Sequence, residues 1–135
     1  MATIPGFIIV GTQKGGTSSL YSFLCQHPNI KAAARKEVHY FDTYFEHGIS
    51  WYTRWFPDLA QSDRTGEVSP FYLFHPHVAS SIVKALLSVK IIVLLREPVF
   101  RVYSHYQFMY RRRIEALTSE EALAAEEHRT RQGVE

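Results

Sequence analysis

One cysteine, Cys25, stands in the 135-residue chain, so no internal disulfide can staple it. Long apolar runs are missing too. No segment approaches the ~20 apolar residues that cross a bilayer, and no membrane span is expected. The opening Met-Ala-Thr-Ile-Pro-Gly has no basic region ahead of its apolar stretch, which Pro5 and Gly6 break. A secretory leader is therefore not expected, and the reading is a soluble, cytoplasmic protein. The formal net charge of +2 is too small for a general nucleic-acid or membrane-surface binder. His75, His77, His105 and His128 form no ligand pattern with carboxylates or cysteine, so no metal site is proposed. Repeats, low-complexity tracts and linkers are also lacking, which leaves a single domain over residues 1–135.

What the chain does have is material for a core: 46% hydrophobic residues and 14% aromatic ones. Phe7 to Val10 reads as a fully buried strand, and Thr17 to Gln26 as a helix with Leu20, Phe23 and Leu24 on one face. An extended piece follows around Ile30 to Ala34, then an aromatic helical segment from Trp51 to Phe56, stopped by Pro57. Thr65 to Ser69 reads as a short buried strand. A helix from Pro76 to Leu87 turns Val78, Ile82, Ala85 and Leu86 inward. Lys90 to Leu95 is the clearest strand. Pro98 opens a helix behind it whose Val99, Val102, Tyr103, Tyr106, Met109 and Tyr110 form a helical stripe. Thr118-x-x-Glu121 is a capping box for a last helix to about Arg131. Strands alternating with helices predict an α/β fold, a parallel sheet with helices on both faces and ligands beyond the carboxyl ends of its strands.

Three groups of residues carry chemistry. The first is Gly11-Thr12-Gln13-Lys14-Gly15-Gly16-Thr17-Ser18, between the first strand and the first helix. Its glycines let backbone N–H groups turn inward, and the helix points its positive end at an anion, so it predicts a phosphate-binding loop. A nucleoside triphosphate loop, G-x-x-x-x-G-K-[ST], carries its lysine after the second glycine. Here Lys14 comes two residues before Gly16. A P-loop NTPase or small-molecule kinase is thus disfavoured, also because no obvious metal-binding aspartate follows an apolar strand. The second group is Lys36-Glu37-Val38-His39-Tyr40-Phe41-Asp42. Extended alternation would put Glu37 and His39 on one side; taken singly, they read as a solvated carboxylate beside a partly buried imidazole. The third is Arg96, at a strand end, where its planar fork suits bidentate phosphate binding. Arg111-Arg112-Arg113 reads as a solvated helix end, and Trp51, Tyr52, Trp55 and Phe56 read as core rather than sugar platform.

Five segments in order, GTQKGGTSSLYSFLCQHPNI, KEVHYFD, GISWYTRWFP, GEVSPFYLF and REPVFRVYSHY, resemble the sulfotransferases that use 3'-phosphoadenosine 5'-phosphosulfate (PAPS). The resemblance is greatest to the heparan-sulfate and related bacterial branch and extends from Phe7 to about Tyr110. It implies a P-loop-like parallel sheet flanked by helices. It also implies sulfuryl transfer from PAPS to a hydroxyl or amine of a small-molecule, glycan or lipid acceptor, with release of 3',5'-ADP. By resemblance, Lys14, Gly15, Gly16, Thr17 and Ser18 hold the 5'-phosphosulfate, and Arg96 and Ser104 hold the 3'-phosphate. Glu37 is the general base, with His39 and Asp42 in support. A cation at Lys14 would stabilise charge on the departing phosphate more in the transition state than in the ground state. Glycan relatives often carry lysine where this chain has Val68 in GEVSP. Members of the family commonly have a longer chain whose later segment completes the nucleotide and acceptor cleft. An incomplete, N-terminal sulfotransferase domain is therefore expected, and a non-catalytic nucleotide-binding fragment is the alternative.

Overall fold

The computed structural model describes residues 3–133. Alternation along the first strand, β1 (Phe7–Gly11), explains the core around it. Phe7 and Ile9 face one side with Val68, against Leu20, Tyr21 and Leu24 of α1 (Thr17–Leu24). Ile8 and Val10 face the other, in a cluster with Val38, Tyr40, Phe41, Tyr52, Phe56, Tyr72, Val78, Ile82 and Leu86. Burial on both faces is why β1 reads as a continuous apolar run rather than an alternating one.

The sheet adds β2 (Ile30–Ala32), β3 (Arg64–Val68) and β4 (Lys90–Val93) in the order β2-β3-β1-β4, all parallel. Phe7 pairs with Gly66 on one side and Lys90 on the other. Successive parallel strands need crossovers. These are α1 between β1 and β2, the short α2 (Ile49–Thr53) between β2 and β3, and α3 (Val78–Ala85) between β3 and β4. The Tyr21 hydroxyl straps α1 to the sheet, donating to Gly66 O at 3.1 Å and accepting from Ala33 N at 2.9 Å. Because all strands run one way, the segments after β1, β2 and β3 leave from the same edge.

The chain divides into two compact units, one through Leu95 and the other from Arg96. The second contains α4 (Pro98–Arg111) and α5 (Ser119–Arg131). Glu97 caps α4 by accepting from Phe100 N at 2.9 Å, and Thr118 and Glu121 form the expected capping box on α5.

Several expectations are corrected. The first helix ends at Leu24 rather than Gln26, and Phe23 is 68% exposed, off the buried face. Both faces of the sheet are not covered throughout: Ile91 and Val93 on β4 are exposed, as is Leu95 beyond it. The stripe on α4 is real in spacing, yet Val99, Val102, Tyr103 and Tyr110 are exposed and no residue of that helix is buried. Periodicity marks which face is apolar, not whether anything lies on it.

Candidate active site

The loop after β1 is tied to the sheet at both ends. Thr12 N donates to Leu94 O, and Leu94 N to Gly11 O, each at 2.8 Å, while Gly15 N closes a turn on Thr12 O at 2.9 Å. Gly15 has no room for a side chain: a Cβ would lie 2.8 Å from Thr12 O and 3.0 Å from Leu94 O. Gly16 has φ 97°, a left-handed conformation that suits glycine, and is the N-cap of α1. It offers no side chain to the first N–H groups of the helix, and the first turn has no acidic residue. The first N–H groups of a helix have no intrahelical acceptor, and with Lys14, Thr17 and Ser18 adjacent in sequence this loop fits an incoming phosphate group.

The segment after β2 reaches the same edge. Glu37 N donates to Val68 O, at the end of β3, at 3.1 Å. From there Glu37 Oε2 lies 3.7 Å from His39 Nε2, and His39 Nδ1 lies 2.8 Å from Asp42 Oδ2. The expected convergence of Glu37 and His39 is present, but extended alternation is not its cause. Both residues have positive φ, 55° and 57°, so the chain coils tightly and brings the two side chains together. Lys36 links this cluster to the phosphate loop: its ammonium donates to Ser18 Oγ at 2.6 Å and lies 3.6 Å from Glu37 Oε1.

Charge follows geometry. The Glu37 carboxyl is held below its ordinary range, chiefly by His39, with Lys36 adding and partial burial opposing. His39 is pushed up to about 9, chiefly by Glu37 and further by Asp42, against a burial effect of the opposite sign. At neutral pH Glu37 is therefore a carboxylate and His39 an imidazolium. Glu37 is then unprotonated, while His39 carries its proton 3.7 Å away.

Glu67 sits under the site, only 1% exposed, and accepts from Tyr52 (2.5 Å), Ser69 (2.7 Å) and Tyr72 (2.8 Å). Burial raises its carboxyl above the ordinary range, and the three hydroxyls oppose that shift. Tyr72 Oη also accepts from Phe41 N at 3.2 Å, and Tyr52 stacks on Tyr40 with ring centroids 4.6 Å apart. One buried carboxylate thereby holds the turn from Glu37 to Asp42 from beneath.

Lys14, Gly15, Gly16, Thr17 and Ser18 thus form one loop at the edge where Glu37, His39 and Asp42 gather. Arg96 and Ser104 belong to the second unit, Arg96 just before α4 and the half-buried Ser104 within it. Sequence reasoning gave Lys36 and Glu67 no role. Nothing in spacing tells that Lys36 reaches back to Ser18, but an acid inside the buried run Thr65 to Ser69 was a readable signal. Among the described residues, no helix is long and apolar enough to cross a membrane.

The sulfotransferase domain family matches residues 5–130. The chain is 40% identical over 108 residues to the membrane-associated sulfotransferase kil1 of Dictyostelium discoideum, covering 78% of this chain and 23% of that protein. It is 35% identical over 103 residues to human heparan sulfate glucosamine 3-O-sulfotransferase 3B1, covering 76% and 26%. Among solved structures, a sulfotransferase from Alicyclobacillus acidocaldarius superposes with a TM-score of 0.86 at 36% identity, over 98% of this chain and 61% of that one. The chain therefore spans about a quarter of the length of these curated relatives.

Proposed function

The chain belongs to the sulfotransferase family, and on that premise we propose that it binds PAPS and carries the sulfuryl-transfer half of a sulfotransferase site acting on a glycan hydroxyl. The observation that supports this best is the Lys36 bridge, which ties the Glu37–His39–Asp42 cluster to Ser18 of the phosphate loop. A base and a phosphate cradle are thereby held at one edge of one sheet. The glycan acceptor is suggested by the relatives whose names describe heparan sulfate glucosamine as the substrate.

In the proposed reaction the acceptor oxygen attacks sulfur in line. The new O–S bond forms as the bond from sulfur to the 5'-phosphate oxygen breaks, and the acceptor proton passes to Glu37. Lys14 and the N–H groups opening α1 stabilise negative charge on the departing phosphate of 3',5'-ADP. His39 holds Glu37 in position, and Asp42 fixes the imidazole through Nδ1. Arg96, with Ser104, binds the 3'-phosphate, where a charge-assisted bidentate contact suits arginine.

Transfer of ³⁵S from labelled PAPS to hydroxylated glycans tests this reading. Activity with the unaltered chain, reduced ~10²–10⁴-fold in Glu37→Gln with unchanged PAPS affinity, is the expected result for loss of a general base. Equal activity in the two proteins would move the base elsewhere, and parallel losses of turnover and PAPS affinity would make Glu37 a binding residue.

A further inference from the structure

Lys36 touches both halves of the site, yet it takes no part in the transfer step as proposed. Its ammonium donates to Ser18 Oγ in the phosphate loop at 2.6 Å and lies 3.6 Å from Glu37 Oε1. The other carboxylate oxygen, Glu37 Oε2, lies 3.7 Å from His39 Nε2. Each oxygen of this carboxylate therefore faces a cationic group, and Lys36 is the one that also reaches the loop. An ammonium has three N–H donors. One serves Ser18, and the approach to Glu37 is too long for a good hydrogen bond, so the group keeps donor capacity for a ligand between the loop and the carboxylate. The side chain is 49% exposed, which leaves that space open to an incoming molecule.

Sulfuryl transfer sets two anions face to face. The carboxylate that takes the proton and the sulfonate of the donor are separated by a single acceptor oxygen, and like charges at that range repel more strongly as water is excluded. A cation held between the phosphate loop and the carboxylate offsets that repulsion from both sides. The strand beneath supplies none, because β3 ends in Val68, which is only 1% exposed. We infer that the Lys36 ammonium binds the sulfuryl group of PAPS, bridging from Ser18 to a sulfonate oxygen and holding sulfur opposite Glu37. Lys36 is then a catalytic residue that tells the donor from the product. The product 3',5'-ADP ends at its 5'-phosphate and lacks the group that Lys36 touches. This inference rests on the PAPS reading of the site and adds to it the residue that reads the transferred group.

The test is calorimetry with PAPS and with 3',5'-ADP on the unaltered chain and on Lys36→Met, which keeps the length of the side chain without its charge. Lys36→Met weakens PAPS binding by ~10-fold or more, the size of one charge-assisted hydrogen bond, and 3',5'-ADP binding by less than about twofold. The retained 3',5'-ADP affinity reports that the phosphate loop is still folded. Lys36→Arg, which keeps a cation of similar reach, recovers part of the lost PAPS affinity. Undiminished PAPS affinity in Lys36→Met overturns the inference. Equal weakening of both ligands also overturns it and leaves Lys36 as a strap between the turn and the loop, with the PAPS reading intact. A Lys36→Arg variant as weak for PAPS as Lys36→Met contradicts the role given to the charge. An unaltered chain that binds neither ligand overturns the PAPS reading and this inference with it.

Discussion

At the scale of single residues, the charge on His39 is the most exposed consequence of this site. Its folded value of about 9 exceeds the ordinary 6.5, so its contribution to stability is fully present below 6.5 and is lost as pH rises through about 9. Glu37 has the opposite sign: its contribution is present above the ordinary carboxylate range and is lost as pH falls below it. Nuclear magnetic resonance titration should find the His39 imidazole near pH 9, and Glu37→Gln should move it toward 6.5. Titration of the unaltered chain at 6.5 would dissolve the pairing. Tyr72→Phe tests the support beneath. It removes one hydroxyl from Glu67 and the acceptor from Phe41 N–H, so urea unfolding should show a loss of ~1–3 kcal/mol. An unchanged midpoint would mean that the buried network carries no stability. Lys14 and Glu37 could be proposed as site residues from the sequence because their motifs single them out. Lys36 could not, because its contact with Ser18 crosses 18 residues of sequence and exists only once β1 and β2 share a sheet.

At the scale of elements, legibility tracks how local the determining physics is. The four strands, α3 with its inward Val78 and Ile82, and the Thr118 capping box depend on neighbours in sequence and were readable there. The turn holding Glu37 and His39 depends on positive φ at two non-glycine residues, which only the surrounding packing imposes, so an extended reading of it failed. The exposed faces of α4 and β4 failed for a related reason, since a pattern names a face and not its cover. The β1–α1 loop yields the sharpest prediction at this scale. Gly15→Ala forces a methyl group against two backbone oxygens, a strain of ~1–3 kcal/mol. The loop must shift, and 3',5'-ADP affinity should fall by roughly tenfold or more on calorimetry. Wild-type affinity in that variant would show that the close packing of the loop is irrelevant to nucleotide binding.

At the scale of the whole molecule, the central claim is that a parallel sheet with a displaced lysine in its phosphate loop recognises a 3',5'-bisphosphorylated nucleotide rather than a metal-bound triphosphate. The chain belongs to a family whose matched relatives are much longer, so binding is a more direct test than turnover. Thermal or denaturant unfolding with 3',5'-ADP at ~100 times its dissociation constant should show stabilisation of about 2.7 kcal/mol. Mg-ATP at the same concentration should give a much smaller shift. A shift with Mg-ATP equal to or larger than that with 3',5'-ADP would contradict the account and make the loop that of a nucleoside triphosphatase.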